Sequence, residues 1–145
     1  MMKATELLQE DHEKMRNLLE RLRSARDKEE LLQKVEKEIR IHVQLEEALF
    51  YPAVRDVDGA WVDSALDAHQ QVDELLEDLI DAVEEEEEFE QKLNELEEHL
   101  NAHIEDEEVR IFPQMEERLE EQLNELGSQI GQMRSDLEEE WREAA

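Results

Sequence analysis

The sequence predicts an all-α fold: an antiparallel, up-down four-helix bundle built from two repeated helical hairpins, followed by a C-terminal helical extension. Apolar residues recur at spacings of three and four along the whole chain, and alternating strand-like runs are absent. Glycine occurs three times and proline twice in 145 residues, so few points interrupt a helix. The phrase HVQLEEALFYP at 42–52 returns as HIEDEEVRIFP at 103–113, and HEKMRNLLERL from His12 aligns without gaps on HQQVDELLEDL from His69. One domain over 1–145 is expected, with the bundle at about 3–113 and the extension at about 114–143. A chain of this length buries roughly two-thirds of its unfolded surface.

The first helix is expected over about residues 3–23, with the stripe Leu8, His12, Met15, Leu19 and Leu22. SARDKEE connects it to a second helix at about 28–51, whose stripe is Leu32, Val35, Ile39, His42, Glu46 and Leu49 and which Pro52 closes. An Asp-Gly turn in PAVRDVDGAW precedes the third, at about 60–83, with Ala65, His69, Val72, Leu76, Leu79 and Val83. A turn near the glutamate run 84–88 leads to the fourth, at about 88–112, with Phe89, Leu93, Leu96, Leu100, His103 and Glu107, ended by Pro113. His12 to His42 spans 30 residues and His69 to His103 spans 34, a difference of about one helical turn that the glutamate run absorbs.

Past Pro113 the stripe continues as Leu119, Leu123, Leu126, Ile130, Met133, Leu137 and Trp141, interrupted by Gly127 and Gly131. One or two further helices are expected there, covering the bundle end, with a heptad-like spacing that also suits a homodimer. Trp61 and Trp141 are expected to cap the core. By helical phase Tyr51 falls opposite His42, which makes it a helix-end packing residue.

Composition narrows the function. Sixteen Lys and Arg against 44 Asp and Glu give a formal charge of -28, which repels nucleic acid and anionic membrane surfaces alike. The start of the chain, MMKATELLQE, is polar within a few residues, and no apolar run approaches the roughly 20 residues of a membrane span, so a soluble, cytoplasmic protein is expected. With no cysteine, disulfides, thiolate nucleophiles and Cys-ligated metal sites are excluded, and a metal here must take nitrogen and oxygen ligands.

Such ligands are present in a pattern. Histidine and glutamate four residues apart share one helical face, and a carboxylate in an apolar stripe is costly unless paired or metal-bound. Each helix points a histidine at the core, and two of the stripes add a glutamate. Any one such pair is commonly a hydrogen-bonded device that fixes helix register. Four histidines and two glutamates, each in register and duplicated in order, point instead to two divalent metals bridged by Glu46 and Glu107, with His12 and His42 on one and His69 and His103 on the other. Mixed nitrogen and oxygen donors suit iron and also accept manganese, zinc or cobalt.

At these residues the sequence resembles the hemerythrin-like, or HHE cation-binding, family over about residues 5–115. The family order of His, His-x-x-x-Glu, His and His-x-x-x-Glu is met by His12, by His42 with Glu46, by His69, and by His103 with Glu107. The resemblance implies two iron ions with an oxo or hydroxo bridge that bind dioxygen, nitric oxide or hydrogen peroxide. Oxygen-carrying members place a second histidine four residues after the first on the third helix, where this chain has Asp73. His99, one turn before His103, is a fifth imidazole, a hydrogen-bonding neighbour of the ligands or a surface residue, and Asp73 is likewise an additional candidate. If neither ligates, each iron keeps a vacant position.

Two functions then compete: reversible binding of a small diatomic for carriage, storage or sensing, and redox turnover such as peroxide dismutation, nitric oxide reduction or iron-centre repair. No flavin or nicotinamide motif is present, so turnover other than dismutation would draw on an electron-donor protein. A third possibility is a bundle whose site is empty or holds zinc for stability alone.

Overall fold

The computed structural model describes residues 2–144, and it is helical almost throughout. Helix α1 spans Ala4–Ser24, α2 Lys28–Leu45, α3 Tyr51–Asp81, α4 Glu86–Asp106, α5 Phe112–Arg118 and α6 Glu120–Ala144. The first connection is short because each side of it is capped. Asp27 accepts the backbone N–H of Glu30 at 3.1 Å, and the Lys28 ammonium reaches the carbonyls of Leu22, in the last turn of α1, and of Ala25, the residue that caps it. The glutamate run splits at Glu85: 84–85 belong to the turn, while Glu86, Glu87 and Glu88 form the first turn of α4, where the positive end of the helix dipole favours acids.

The two prolines do not close helices. Between α2 and α3 lies a π-helical turn, Glu46–Phe50, and a second, Glu107–Ile111, lies between α4 and α5. Pro52 and Pro113 occupy the first turn of the helix that follows each, a position where a missing N–H is tolerated. The chain reverses further on, at Asp58, whose φ of -156° and ψ of 85° break α3 and whose carboxylate caps Trp61 N–H at 3.0 Å. The Asp-Gly turn is thus realised as a kink with its own helix cap.

Helices α1 to α4 pack as a ring in which α1 meets α2 and α4, and α3 meets α2 and α4. The interior divides into two apolar clusters. Met15, Leu19, Val35, Ile39, Leu76, Leu96 and Leu100 belong to one. Leu8, Leu45, Phe50, Tyr51, Trp61, Ala65, Ile111 and Phe112 belong to the other. His12, His42, His69 and His103 fall on the stripes between these clusters, forming one polar layer across the bundle.

Helix α6 lies along α1 and α2 rather than over the bundle end. Leu123, Ile130 and Leu137 are buried there, and Leu126, Met133 and Trp141 pack partly buried against the same core. The stripe that suggested a dimer is therefore used within the chain. Gly127 is needed for this docking, because a Cβ there would stand 2.2 Å from the Met2 carbonyl oxygen and 3.2 Å from Ala4 N. Gly127→Ala is expected to cost about 1–3 kcal/mol through overpacking. Gly131→Ala, where a Cβ meets nothing within 4 Å, should stabilise by about 0.5–1 kcal/mol as an ordinary helix substitution. Paired thermal melts of the two variants check both signs.

Candidate metal centre

The two duplicated phrases converge on the polar layer, and each supplies three groups. His42 and His103 come from the ends of α2 and α4, and Glu46 and Glu107 open the two π turns. The second glutamate of each pair reaches across to a neighbouring helix. Glu47 accepts His69 Nδ1–H at 2.8 Å, and Glu108 accepts His12 Nδ1–H at 2.6 Å. Asp11 does the same for His42 at 3.0 Å. With their Nδ1 atoms held, these three imidazoles turn Nε2 toward the middle of the bundle.

Glu46 and Glu107 are fully buried, and His12, His42, His69 and His103 are at most 8% exposed. His12, His42, Glu46 and Glu107 offer ligand atoms that all lie within 4.8 Å of one another, and Glu46, His69 and His103 form a second such group. His12 Nε2 stands 3.1 Å from Glu107 Oε1, and His42 Nε2 3.1 Å from Glu46 Oε1. Two donors about 2.1 Å from one metal and at right angles are about 3.0 Å apart. His12 Nε2, His42 Nε2, Glu46 Oε2 and Glu107 Oε1 are buried yet make no hydrogen bond. Orphaned polar atoms are expensive, and a cation among them would satisfy all four. The residues present therefore fit a metal.

On the other side the gap is filled from within the chain. The Tyr51 hydroxyl lies 3.2 Å from Glu46 Oε1, 3.0 Å from His69 Nε2, 3.1 Å from His103 Nε2 and 2.9 Å from Glu107 Oε2. A phenol has one proton to donate and two lone pairs, so four neighbours exceed what it can satisfy. This corrects the expectation that Tyr51 only packs a helix end. Uniform α-helical phase of about 100° per residue turns it away from His42, but the wider π turn at Glu46–Phe50 advances each residue by less and swings Tyr51 inward. Periodicity carries no signal for such a turn.

The repeat-equivalent of Tyr51 is Phe112, which stacks on His12 at 5.8 Å as Tyr51 stacks on His69 at 5.2 Å. At this position the two halves differ by one hydroxyl. Trp61 stacks on His103 at 6.3 Å, meets Tyr51 edge-on and donates its indole N–H to Asp106 at 2.6 Å, so it packs the layer as well as the core. The two additional candidates stand apart. Asp73 pairs with Arg40 at 2.6 Å on the surface, and His99 is exposed; neither belongs to either group of clustered ligand atoms.

The carboxylates set the protonation of the metal-free layer. Burial alone would push the His42 imidazolium down, but Glu46 and Asp11 outweigh it and raise its pKa to about 10. His69, opposed by burial and held by Glu46 and Glu47, rises to about 9. Burial pushes Glu107 up, and the adjacent Glu46 adds to it, whereas burial of Glu46 is outweighed by His42 and the pKa falls well below the usual carboxylate range. His42 and His69, raised above their unfolded values, stabilise the fold fully below the ordinary histidine pKa near 6.5, and that stabilisation is lost as pH climbs through about 9 and about 10. The melting temperature of the metal-free protein should therefore fall between pH 7 and pH 10. Metal-loaded protein, whose imidazoles are already deprotonated by the ion, should not show that fall.

A four-helix bundle with a buried layer of histidines and carboxylates on duplicated hairpins defines a cation-binding bundle. The hemerythrin HHE cation binding domain matches residues 3–115 and again 62–145, and the chain belongs to that family. The overlap of the two matches is the second hairpin and its exit. No curated protein and no solved structure matches the chain. Among the described residues no helix is long and apolar enough to cross a membrane.

Proposed function

We propose that the layer holds two iron ions and binds dioxygen, nitric oxide or hydrogen peroxide at one of them. His12 and His42, with Glu46 and Glu107, would hold the first iron, where the orphaned atoms lie. His69, His103 and Glu46 would hold the second, with Glu107 and the Tyr51 hydroxyl beside them; burial and the two carboxylates push the Tyr51 pKa up, so the ion would have to displace its proton to take the phenol oxygen as a ligand. Hard oxygen donors from tyrosine and carboxylate beside imidazole favour iron over softer choices.

The observation that favours binding over turnover is the difference between Tyr51 and Phe112. Tyr51 fills the second side with a protein oxygen, while Phe112 offers the first side only an apolar wall. Chemistry shared between two metals needs both of them accessible. Iron, when bound, supplies an open coordination position and one-electron exchange. The chain does the rest: Asp11, Glu108 and Glu47 fix the imidazoles, and Phe50, packed edge-on against Phe112, extends the apolar wall on the open side. Binding of this kind requires no electron-donor protein.

The test is anaerobic reconstitution with ferrous iron followed by addition and removal of oxygen. A visible band that comes and goes with oxygen is the expected result. Irreversible conversion to a ferric spectrum, with turnover of peroxide or nitric oxide, would overturn it in favour of a redox enzyme at the same centre.

A further inference from the structure

One buried acid in the polar layer does not come from the duplicated phrases. Asp11, 6% exposed, accepts His42 Nδ1–H at 3.0 Å, and its same oxygen is paired with the guanidinium of Arg134. Arg134 belongs to α6, outside the four-helix ring. It lies four residues after Ile130 and three before Leu137, both buried, and next to Met133 of the stripe, so a half-buried arginine flanks the inward face of the helix. A charge in that position is costly unless paired, and Asp11 is the partner.

The connection is also one-sided. Asp11 precedes His12, and the repeat-equivalent residue before His69 is Ala68. Of the two histidines that end α2 and α4, only His42 is therefore braced in this way. His42 Nε2 is in turn one of the orphaned atoms facing the cluster. The chain of contacts runs from α6 through Arg134 and Asp11 to the inward face of a ligand.

We infer that Arg134 is a positioning residue of the metal centre: by holding Asp11 it orients His42, and so couples the docking of α6 to occupancy of the site beside His12. The inference rests on the reading of the layer as a metal centre. Coupling is reciprocal, so metal that favours the oriented His42 must also favour docked α6. Loss of an outer hydrogen-bond partner of a ligating histidine typically weakens metal affinity about 10–100-fold, and Arg134 acts one contact further out.

The experiment uses the full chain and cobalt(II), titrated anaerobically and followed by visible absorption with a competing chelator. Arg134→Gln should weaken the first cobalt by up to about 10-fold and alter its spectrum, and Arg134→Lys should restore most of both. Asp11→Asn, which keeps an acceptor but not the charge, should reproduce the Arg134→Gln spectrum. In hydrogen exchange, cobalt should slow the amides of α6 in the native chain and not in Arg134→Gln. Native affinity and spectrum in both Arg134→Gln and Asp11→Asn, or α6 exchange indifferent to cobalt in the native chain, would overturn the inference and leave the metal centre standing. Failure of the native chain to take up cobalt at all would overturn the metal centre itself.

Discussion

Glu46→Ala should strip the protein of both metals while leaving its helices in place. Glu46 is the residue common to the two groups of clustered ligand atoms. Its Oε1 lies 3.1 Å from His42 Nε2 and 3.0 Å from His69 Nε2, on opposite sides of the layer, and its Oε2 is one of the orphaned atoms. Removing it would take a donor from each of the two proposed metals, a larger loss than the roughly 10–100-fold that an outer partner costs. The bundle itself rests on two apolar clusters on either side of the layer, so helical content should persist. Metal analysis after reconstitution, beside far-ultraviolet circular dichroism, reads both quantities. Full metal content in Glu46→Ala would remove the bridging role assigned to it.

Tyr51→Phe should leave iron in place and abolish the visible ferric phenolate absorption of the oxidised protein. The hydroxyl alone distinguishes Tyr51 from its counterpart Phe112, and the ring packs on His69 in either case. In the metal-free protein the same change leaves the Glu107 and Glu46 oxygens and the His103 nitrogen without the hydroxyl now near them. Leaving a buried polar atom unpartnered costs about 1–3 kcal/mol. The variant should therefore melt lower than the native chain when metal is absent and lose most of that difference when iron is bound. An unchanged visible spectrum in Tyr51→Phe would mean that the phenol is only a hydrogen-bond donor.

Much of this was legible in the residues themselves, for a physical reason. Helical stripes are local, so His12, His42, Glu46, His69, His103 and Glu107 announce themselves as polar groups at apolar positions, and duplication says that they belong together. The structure brings all six into one layer. What the spacing leaves hidden depends on events that periodicity does not record. The π turns reset helical phase, which brings Tyr51 inward and lets Glu47 and Glu108 reach His69 and His12. The doubled Glu-Glu in both phrases was the visible trace of that arrangement. Asp11 and Arg134 meet across 123 residues of chain, and no local pattern links them. Asp73 follows His69 at ligand spacing, but Arg40 with its other acidic neighbours Glu36 and Glu77 holds it at the surface.

The proposed centre has two inequivalent irons, one for each group of clustered ligand atoms, and Mössbauer spectroscopy of the oxidised, iron-57-reconstituted protein tests that most directly. Two doublets of equal area and different splitting are predicted, one from the iron beside Phe112 and one from the iron beside Tyr51. A single doublet, or iron that saturates at one per chain, would contradict it.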